Sequence, residues 1–319
     1  MIPKRVHLLL GGAGFIGCHV AASLLKSGAR VVICDVAKVD RIGSFTVGRD
    51  FTSIVTDCAD VDWDQLVGGV DVVHLYAWSS IPSSANDRPL HDLTRNLSIT
   101  IQMLEALRRR GQGRVLFASS GGTVYGRVAG TPIREDAPLA PITGYGAGKA
   151  AAEMYMSVYR DLYGVDCRVA RISNPYGIGQ NISRGQGAVT TFIQKALADE
   201  EIVIWGDGSV VRDYLHISDV AAALMRFADL PLAIDATTLN IGSGEGVSLN
   251  QILDQLTRYV GRPLKVRREA ARQFDVPTNV LDISRAKRVL CWQPELSFPA
   301  GLERAVNEAR QDMIDQARN

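Results

Sequence analysis

Short apolar runs and amphipathic stretches alternate along the first half of the chain, which predicts a parallel β-sheet covered by helices. The apolar runs are rich in Val, Ile and Leu, as is typical of strands that are buried on both faces. The predicted strands are 5–10, 30–35, 50–57, 70–76, 114–119 and 166–173. This alternation indicates an α/β fold with a doubly wound parallel sheet.

Two longer stretches between the last of these strands have helical spacing, at 90–110 and 145–163. In the first stretch, apolar residues recur at steps of three and four positions, which is typical of one buried helix face. These residues are Leu93, Leu97, Ile101, Leu104 and Leu107. We therefore expect this face of the helix to be buried.

The regular alternation ends in the second half of the chain, where loops such as "NPYGIGQNISRGQG" separate smaller mixed elements. We expect a first domain over 1–173 and a smaller second domain over 174–319. The segment 218–243 combines a helical pattern with a strand-like run, and we expect it to return to the first domain. The predicted boundary between the two domains is therefore discontinuous.

Composition and charge exclude some classes of partner. Of the 319 residues, 46% are hydrophobic and 22% are charged, with 35 Lys+Arg against 34 Asp+Glu. Such a balance gives no general attraction to nucleic acid or to an anionic membrane surface, and we expect neither as a partner. Glycines interrupt the apolar amino terminus, which therefore reads as strand and loop rather than as a signal peptide.

The cysteines argue for reduced thiols rather than for a metal site. The five of them, at positions 18, 34, 58, 167 and 291, are dispersed, with no C-x-x-C spacing and no histidine cluster nearby. Zinc sites are typically built from closely spaced Cys and His ligands. We expect no bound metal, and a cytoplasmic location in which these thiols stay reduced.

The segment "GGAGFIG" combines three glycines with the transition from the first strand to a helix. Gly11, Gly14 and Gly17 follow the G-x-x-G-x-x-G spacing, which lets backbone N–H groups approach a pyrophosphate at the positive end of a helix. The second strand ends in Asp35, about twenty positions on. A carboxylate there accepts hydrogen bonds from both ribose hydroxyls and repels a 2′-phosphate, which favours NAD over NADP. Together these features predict a Rossmann-type dinucleotide site.

A tyrosine and a lysine four positions apart supply candidate chemistry. Tyr145 and Lys149 in "GYGAGKAAAE" lie on one face of the second predicted helix. Such a pair is often an ordinary surface pair. Beside a dinucleotide, however, an ammonium near a phenol is expected to lower the phenol's pKa. Tyr145 then exchanges a proton with a sugar hydroxyl while hydride moves to or from the nicotinamide.

Through nearly its whole length the chain resembles the extended short-chain dehydrogenase/reductases that act on nucleotide sugars. The residues that carry this resemblance are "GGAGFIG", Asp35, Asp57, "HLYA" (74–77), Asn96, "SSGGTVYG", the Tyr145/Lys149 pair, "RISNPYG" (171–177), "WGDGSVVRDYLHISD" (205–219) and "CWQP" (291–294). Several independent motifs in the same order make the resemblance specific. It implies a Rossmann-type sheet with a smaller carboxy-terminal substrate domain.

The resemblance also implies roles for individual residues. It makes Tyr145 and Lys149 catalytic and places Asp57 near the adenine. The expected cofactor-binding residues are Gly11, Gly14, Phe15, Ile16, Gly17, Asp35, Asp57, Cys58, Leu75, Tyr76, Ala77, Asn96, Ser119, Tyr145 and Lys149. The expected substrate-binding residues are Ser120, Gly121, Asn174, Gln186, Arg212, Arg272 and Asp275. Arginines suit a diphosphate, and a carboxylate suits ribose hydroxyls.

The segment "FASSGGTVYG" departs from the family pattern. Counting back from "VYG", the usual Ser or Thr position holds Gly121, so we expect Ser120 or Thr123 to replace the missing hydroxyl, with Ser120 slightly favoured. The 4,6-dehydratases of the family carry an Asp-Glu pair just before "VYG", where this chain has Gly122 and Thr123. Without that acid and base, elimination of the sugar's 6-hydroxyl lacks a proton carrier.

The leading hypothesis is an NAD-dependent 4-epimerase of a nucleoside-diphosphate hexose. The alternative is an NAD(P)H-dependent reductase of a 4-keto-6-deoxyhexose in deoxysugar biosynthesis, which would use the same residues in one direction. Asp35 favours the epimerase and Gly121 argues against it. A catalytically silent dinucleotide sensor is a third hypothesis, because fold alone does not fix function, and the intact Tyr145/Lys149 pair argues against it.

We also expect a homodimer, both from the resemblance and from apolar faces on the two predicted helices. The second helix carries the run Ala151, Met154, Tyr155, Val158 and Leu162. Two such helices from each chain are able to form a four-helix interface. The alternative is that these faces cover the sheet within one chain.

Overall fold

The computed structural model describes residues 4–43, 45–182, 187–231, 236–271 and 276–318. Its strands are β1 (Val6–Leu10), β2 (Arg30–Asp35), β3 (Arg41–Ile42), β4 (Phe45–Thr46), β5 (Phe51–Val55), β6 (Val72–Leu75), β7 (Arg114–Ser120), β8 (Asp166–Ile172), β9 (Asn174–Tyr176), β10 (Ile202–Trp205), β11 (Val211–His216), β12 (Thr238–Ile241), β13 (Gly246–Ser248), β14 (Val266–Glu269) and β15 (Thr278–Asn279). Its helices are α1 (Phe15–Lys26), α2 (Trp63–Leu66), α3 (Pro82–Asp87), α4 (Pro89–Arg110), α5 (Gly144–Tyr163), α6 (Ala188–Leu197), α7 (Ile217–Asp229), α8 (Leu249–Val260), α9 (Ser284–Leu290) and α10 (Phe298–Arg318).

Seven strands form the central parallel sheet, in the order β12-β8-β7-β6-β1-β2-β5. Each neighbouring pair in this sheet is parallel. The strand order reverses at β1, where β2 and β5 continue to one side and β6 and β7 to the other. The α/β class and the parallel sheet predicted from the sequence are therefore confirmed, and ligands of such sheets bind at the carboxyl ends of the strands near this point.

Helices cover both faces of the sheet. On one face, α1 and α7 pack against each other and against the sheet through Val20, Leu24 and Leu224, which are buried. On the other face, α4 and α5 pack together over β6, β7 and β8. Burial on both faces explains why the strands read as continuous apolar runs.

The predicted buried face of α4 is wrong in part. Leu104 and Leu107 are buried, but Leu93 is 40% exposed, and Leu97 and Ile101 are half-buried. The buried side of the helix instead carries Asp92, Asn96, Ile99, Thr100, Met103, Leu104, Ala106 and Leu107. Asp92 and Asn96 are accommodated on the buried side because hydrogen bonds satisfy them there: Asn96 donates to Asp92 and accepts from the backbone N–H of Ser79, in the loop after β6. Apolar spacing does not reveal this tertiary contact with Ser79.

The second half of the chain builds smaller sheets beside the carboxyl ends of the central strands. Strand β11 pairs with β9, β13 and β15, and β10 pairs with β14. Helices α6, α8 and α10 enclose a separate apolar cluster there that includes Phe192, Leu256 and Leu302. Strand β12 pairs with β8 at the edge of the central sheet, so the chain crosses between the two halves more than once. Within the described residues, no helix is long and apolar enough to span a bilayer.

Candidate active site

The turn after β1 presents backbone rather than side chains. Gly11 has φ +75°, and a Cβ there would lie 2.5 Å from the backbone nitrogen of Ala77. A Cβ at Gly17 would lie 2.6 Å from the Cα of Gly12, so glycine is required for α1 to approach the turn. Gly14 caps α1 without a side-chain hydrogen bond. The positive end of α1 therefore faces the cleft through peptide groups, which fits a dinucleotide pyrophosphate.

Asp35 lies beside this turn at the end of β2. Its Oδ2 accepts a hydrogen bond from the backbone N–H of Ala13 at 3.0 Å, and its Oδ1 accepts one from Ala37 at 3.0 Å. These bonds hold the carboxylate at the wall of the cleft. A carboxylate held there has acceptor capacity left for ribose hydroxyls and repels a phosphate in the same position.

Asp57 lies farther along the same wall and forms an ion pair with Arg95 of α4. Hydrogen bonds from the backbone of Ala59 and from Arg95 hold the pKa of this carboxyl below its usual value. Cys58 also lines the cleft. The sequence analysis did not single out Arg95, although it directly precedes the predicted Asn96.

Most of the other residues expected at the cofactor reach the cleft. Phe15, Ile16, Tyr76 and Ala77 line it. Leu75 does not, because its side chain is 1% exposed and belongs to the core between the sheet and α4. The neighbouring "HLYA" residues therefore contribute through Tyr76 and Ala77.

Asn96 lines the cleft, but its side-chain amide forms hydrogen bonds with other residues of the protein. Its Oδ1 accepts hydrogen bonds from the backbone N–H and the hydroxyl of Ser79, at 2.9 and 3.2 Å. Its Nδ2 donates to the backbone oxygen and the Oδ1 of Asp92. The contacts of Asn96 thus tie the loop after β6 to helix α4.

Tyr145 and Lys149 lie on the first turns of α5, at the end of β7. Thr143 caps this helix by accepting a hydrogen bond from Gly146 at 3.2 Å. The Nζ of Lys149 donates to the backbone oxygen of Ala118 at 2.7 Å and lies 5.7 Å from the ring centroid of Tyr145. Both side chains line the cleft, so the structure brings the predicted pair together there.

The electrostatics of this pair correct the sequence-based expectation. Burial, with a smaller contribution from Asp92, raises the pKa of Tyr145 above its usual value. Burial also lowers the pKa of Lys149 to about 7, against the opposing effect of Glu153 and Asp92. The expected lowering of the tyrosine pKa by Lys149 is therefore not found: the pKa of Tyr145 is raised, since desolvation disfavours the charged forms of both groups.

The hydroxyls of the "SSGGTVYG" segment have different surroundings. Ser119 donates to Glu153, which is buried and forms an ion pair with Arg171. Ser120 and Thr123 line the cleft. A Cβ at Gly122 would lie 3.9 Å from the Ser120 hydroxyl and 3.7 Å from Oδ1 of Asn174. Ser120 therefore faces the space beside Asn174.

Gly121 does not face the cleft. A Cβ at this position would lie 2.6 Å from Cδ1 of Leu281, whose side chain belongs to a small apolar cluster. The backbone oxygen of Gly121 accepts a hydrogen bond from Asn279 at 3.2 Å. The interpretation of Gly121 as a substrate-facing position that lacks its hydroxyl is thus corrected: in this backbone, a side chain at 121 would point into the protein.

The opposite wall of the cleft comes from the second half of the chain. Asn174 and Arg212 line it, and the strands that carry them pair with each other. Arg212 donates to the backbone oxygens of Val211 and Val276, at 2.9 and 2.5 Å. The expected substrate residues Gln186, Arg272 and Asp275 lie outside the described residues.

A single cavity of about 1220 Å³ joins these walls, from Gly11 and Asp35 past Tyr145 to Arg212. The aromatic residues of this cavity include Trp78 and Trp205, to which the sequence analysis assigned no role. Trp78 directly follows "HLYA", and Trp205 opens "WGDG", so their positions beside motifs were the available signal. Among the described residues, no group of three or more His, Cys, Asp or Glu is placed to hold a metal ion.

Comparisons with known proteins show which family and fold this chain shares. Residues 7–242 match the model of the NAD dependent epimerase/dehydratase family. The chain is 34% identical to a UDP-glucose 4-epimerase of Mycolicibacterium smegmatis, covering 94% of this chain and 96% of the relative. It is 30% identical to a dTDP-4-dehydro-6-deoxyglucose reductase of Escherichia coli, covering 96% and 98%. The crystal structure of a Thermus thermophilus UDP-glucose 4-epimerase in complex with NAD superposes with a TM-score of 0.86 at 28% identity, covering 96% and 99%.

Proposed function

This chain belongs to the NAD dependent epimerase/dehydratase family, and we propose that within it the protein is a 4-epimerase of a nucleoside-diphosphate hexose. Like its relatives, it is an enzyme that uses NAD. The observation that carries the proposal is the single cavity in which Tyr145 and Lys149 stand between the glycine turn and the wall of Asn174 and Arg212. With the pair between these two walls, a sugar bound at one wall can place a hydroxyl between the base and a dinucleotide bound at the other wall.

In this proposal Tyr145 is the acid and base at the sugar's 4-hydroxyl. Bound NAD supplies a reversible acceptor for the hydride on C4. The Tyr145 oxygen takes the hydroxyl proton as the 4-keto sugar forms and returns it when the other epimer forms. The positive charge of Lys149 stabilises the Tyr145 phenolate. This stabilisation is needed because burial opposes ionisation of Tyr145.

The serine and threonine of the strand end position the reacting oxygen. Ser120 and Thr123 line the same cavity as Tyr145, and a hydroxyl donor to the C4 oxygen stabilises charge that develops there. Ser120 is the better placed of the two to contact the sugar, because its hydroxyl faces the same space as the Asn174 amide. Asn174 and Arg212 hold the diphosphate on the opposite wall.

The cavity also argues against a 4,6-dehydratase. The positions that carry the Asp-Glu pair in those enzymes hold Gly122 and Thr123, and both line the cavity. Among the described residues of the cavity wall, the carboxylates are Asp35, Asp57 and Glu269. The first two lie at the cofactor side, and Glu269 lies on β14 in the second half. None of the three belongs to the segment that carries the dehydratase pair.

The second candidate function is reduction of a nucleoside-diphosphate 4-keto-6-deoxyhexose. The Escherichia coli reductase at 30% identity favours it, and the same Tyr145 would then donate its proton in one direction only. Asp35 favours the epimerase, since its carboxylate repels the 2′-phosphate of NADPH. The two functions differ in whether the reaction consumes a reduced cofactor.

The direct test incubates the purified protein, without added cofactor, with UDP-, dTDP- and GDP-hexoses and analyses the products by NMR. The proposal predicts C4 epimers from at least one nucleotide sugar. Turnover only with a 4-keto sugar and added NADH or NADPH would favour the reductase instead. Tyr145→Phe serves as the matched inactive protein in either case.

We also propose that the protein is a homodimer formed through α4 and α5. The outer face of these helices exposes Leu93, Met154, Tyr155, Val158 and Leu162, of which Leu162 is 70% exposed. Exposed apolar side chains on two helices that pack together are typical of a protein interface. Light scattering at micromolar concentration is expected to give twice the chain mass, and Leu162→Asp is expected to give a monomer. A monomeric unmodified protein would contradict the proposal.

A further inference from the structure

Trp78 stands directly against the catalytic pair. It follows β6 and lines the cavity, and the Nζ of Lys149 lies 4.0 Å from the centroid of its ring. The same indole meets the Tyr145 ring edge to face, with centroids 6.3 Å apart and an interplanar angle of 75°. One side chain therefore contacts both members of the pair.

The surrounding residues hold the indole in this position. A Cβ at Gly148 would lie 3.2 Å from Cζ2 of Trp78, so this glycine lets the ring lie close to α5. The ring of Phe117 packs against Trp78, with centroids 5.8 Å apart, and lies 4.7 Å from the Nζ of Lys149. The ammonium thus lies against two aromatic rings that also contact each other.

The charges around Lys149 make these rings important. Within the described part of the chain, no carboxylate forms an ion pair with Lys149, whose one hydrogen bond goes to Ala118. Glu153 on α5 is occupied by Arg171, through Nε and Nη2. Asp92 on α4 accepts a hydrogen bond from Asn96. Besides the Ala118 carbonyl, the close stabilisation of the buried ammonium therefore comes from the electron-rich ring faces.

We propose that Trp78 is a positioning residue whose indole face stabilises the charged form of Lys149 and holds it beside Tyr145. Removing the ring face while keeping the site apolar favours the neutral amine. Because the pKa of Lys149 is already lowered to about 7 by burial, a further decrease would remove most of its charge at neutral pH. The effect on turnover rests on the proposed function, but the contact between Trp78 and Lys149 does not.

The test compares Trp78→Leu, which removes the ring, with Trp78→Phe, which keeps a smaller one. The pKa of Lys149 is measured by ¹³C NMR of the protein labelled at lysine Cε, with Lys149→Met to assign the signal. We expect the pKa to fall by about 1 in Trp78→Leu, since loss of a desolvated cation–π contact changes the protonation equilibrium about tenfold. Trp78→Phe is expected to retain most of the original value.

A matched control is Trp63→Leu. Trp63 is buried like a core residue and donates to Gln102, so its loss destabilises the fold without removing a ring from Lys149. It is expected to leave the Lys149 pKa unchanged. Should Trp78→Leu fail to fold, Trp78→Met provides the same comparison with a flexible apolar side chain. An unchanged or raised Lys149 pKa in the folded variant would overturn the proposal, since the indole would then act only by excluding water.

Turnover provides the second readout. In Trp78→Leu we expect kcat at pH 7 to fall about fivefold, because a pKa lowered from 7 by about 1 leaves roughly a tenth of Lys149 charged instead of half. The decrease of kcat with rising pH is expected to begin at lower pH, and Trp78→Phe is expected to restore most of kcat. KM is expected to stay within about twofold, because the proposal gives Trp78 no contact with the nucleotide. A shifted pKa in a protein without epimerase activity would leave this proposal intact and refute the proposed function.

Discussion

The two walls of the active-site cleft are built in different ways. The wall proposed for the cofactor is built around the turn after β1, where Gly11 and Gly17 let backbone segments come into contact and Ala13 binds Asp35. The wall proposed for the substrate brings together Asn174 and Arg212, whose side chains project from two separate, paired strands. Their positions depend on how the smaller sheets pack beside the central one.

This difference determines what each wall tolerates. Backbone geometry and glycine spacing fix the cofactor wall, so a single methyl group is expected to damage it. Side chains on separate strands form the substrate wall, so a substitution there changes affinity for one ligand while the other wall keeps its shape. Tyr145 and Lys149 stand where the two walls meet and are expected to matter for chemistry rather than for binding.

The largest effect is expected from Tyr145→Phe. It removes the proton carrier without changing the ring that packs against Trp78, so kcat is expected to fall about 10³-fold. NAD affinity, measured by calorimetry, is expected to stay within about twofold because cofactor contacts remain. Tyr163→Phe, at the exposed end of the same helix, is the control and should leave kcat unchanged. Substantial remaining turnover in Tyr145→Phe would remove Tyr145 from the mechanism.

The next largest effect is expected from Gly11→Ala, and comparison with Gly28→Ala separates the effect of close backbone contact from that of backbone strain. Gly11 and Gly28 both have positive φ, +75° and +85°, but only Gly11 has backbone atoms where a Cβ would stand. Gly28→Ala is expected to cost about 1 kcal/mol of unfolding free energy from strain alone. Gly11→Ala adds an overlap with Ala77 and is expected to cost at least about 3 kcal/mol and to abolish measurable NAD binding. Equal losses in urea unfolding of the two variants would show that the approach of the two segments is unimportant.

Substitution on the substrate wall is expected to have a smaller and more selective effect. Arg212→Gln removes a guanidinium proposed to bind the diphosphate, and KM for the nucleotide sugar is expected to rise about 30-fold, which corresponds to about 2 kcal/mol for a charged hydrogen bond. Arg212→Lys keeps the positive charge without the forked guanidinium, so its KM is expected to lie between those of the unmodified protein and Arg212→Gln. An increase in the Kd for NAD of the same size would instead mean that the two walls are coupled.

The smallest expected effect concerns cofactor choice. Asp35→Ala removes acceptors for the ribose hydroxyls and is expected to weaken NAD binding about tenfold. It also removes the repulsion of a 2′-phosphate, so affinity for NADP should stay constant or rise. Calorimetry with both cofactors measures the ratio, and equal affinities in the unmodified protein would contradict the role of Asp35.

Sequence reasoning was most accurate where short-range chemistry decides the structure. The spacing of Gly11 and Gly17 and the predicted strands depend on local sterics and burial, and the fold is confirmed. The buried face of α4 was predicted only in part, because it includes Asp92 and Asn96, which hydrogen bonds to each other and to Ser79 satisfy inside the fold. The direction of Gly121 also escaped prediction, since it depends on Leu281 of a distant segment.

The electrostatics of the site were the least accessible from sequence. A spacing of four positions places Tyr145 and Lys149 on one helix face but carries no information about their desolvation. In the structure the buried surroundings lower the pKa of Lys149 to about 7 and raise that of Tyr145. The aromatic contact of Trp78 with Lys149 was equally hidden, because a loop after β6 brings the two together across the sheet edge.

The most direct measurement follows deuterium at C4 of the nucleotide sugar. The purified protein is incubated without added cofactor with a UDP-hexose that carries deuterium at C4, and the products are analysed by NMR and mass spectrometry. The proposed function predicts two C4 epimers that both retain the deuterium, because hydride leaves and returns within one closed site while Tyr145 carries the proton. Absence of the second epimer across UDP-, dTDP- and GDP-hexoses, with conversion of a 4-keto sugar only on addition of reduced cofactor, would contradict it.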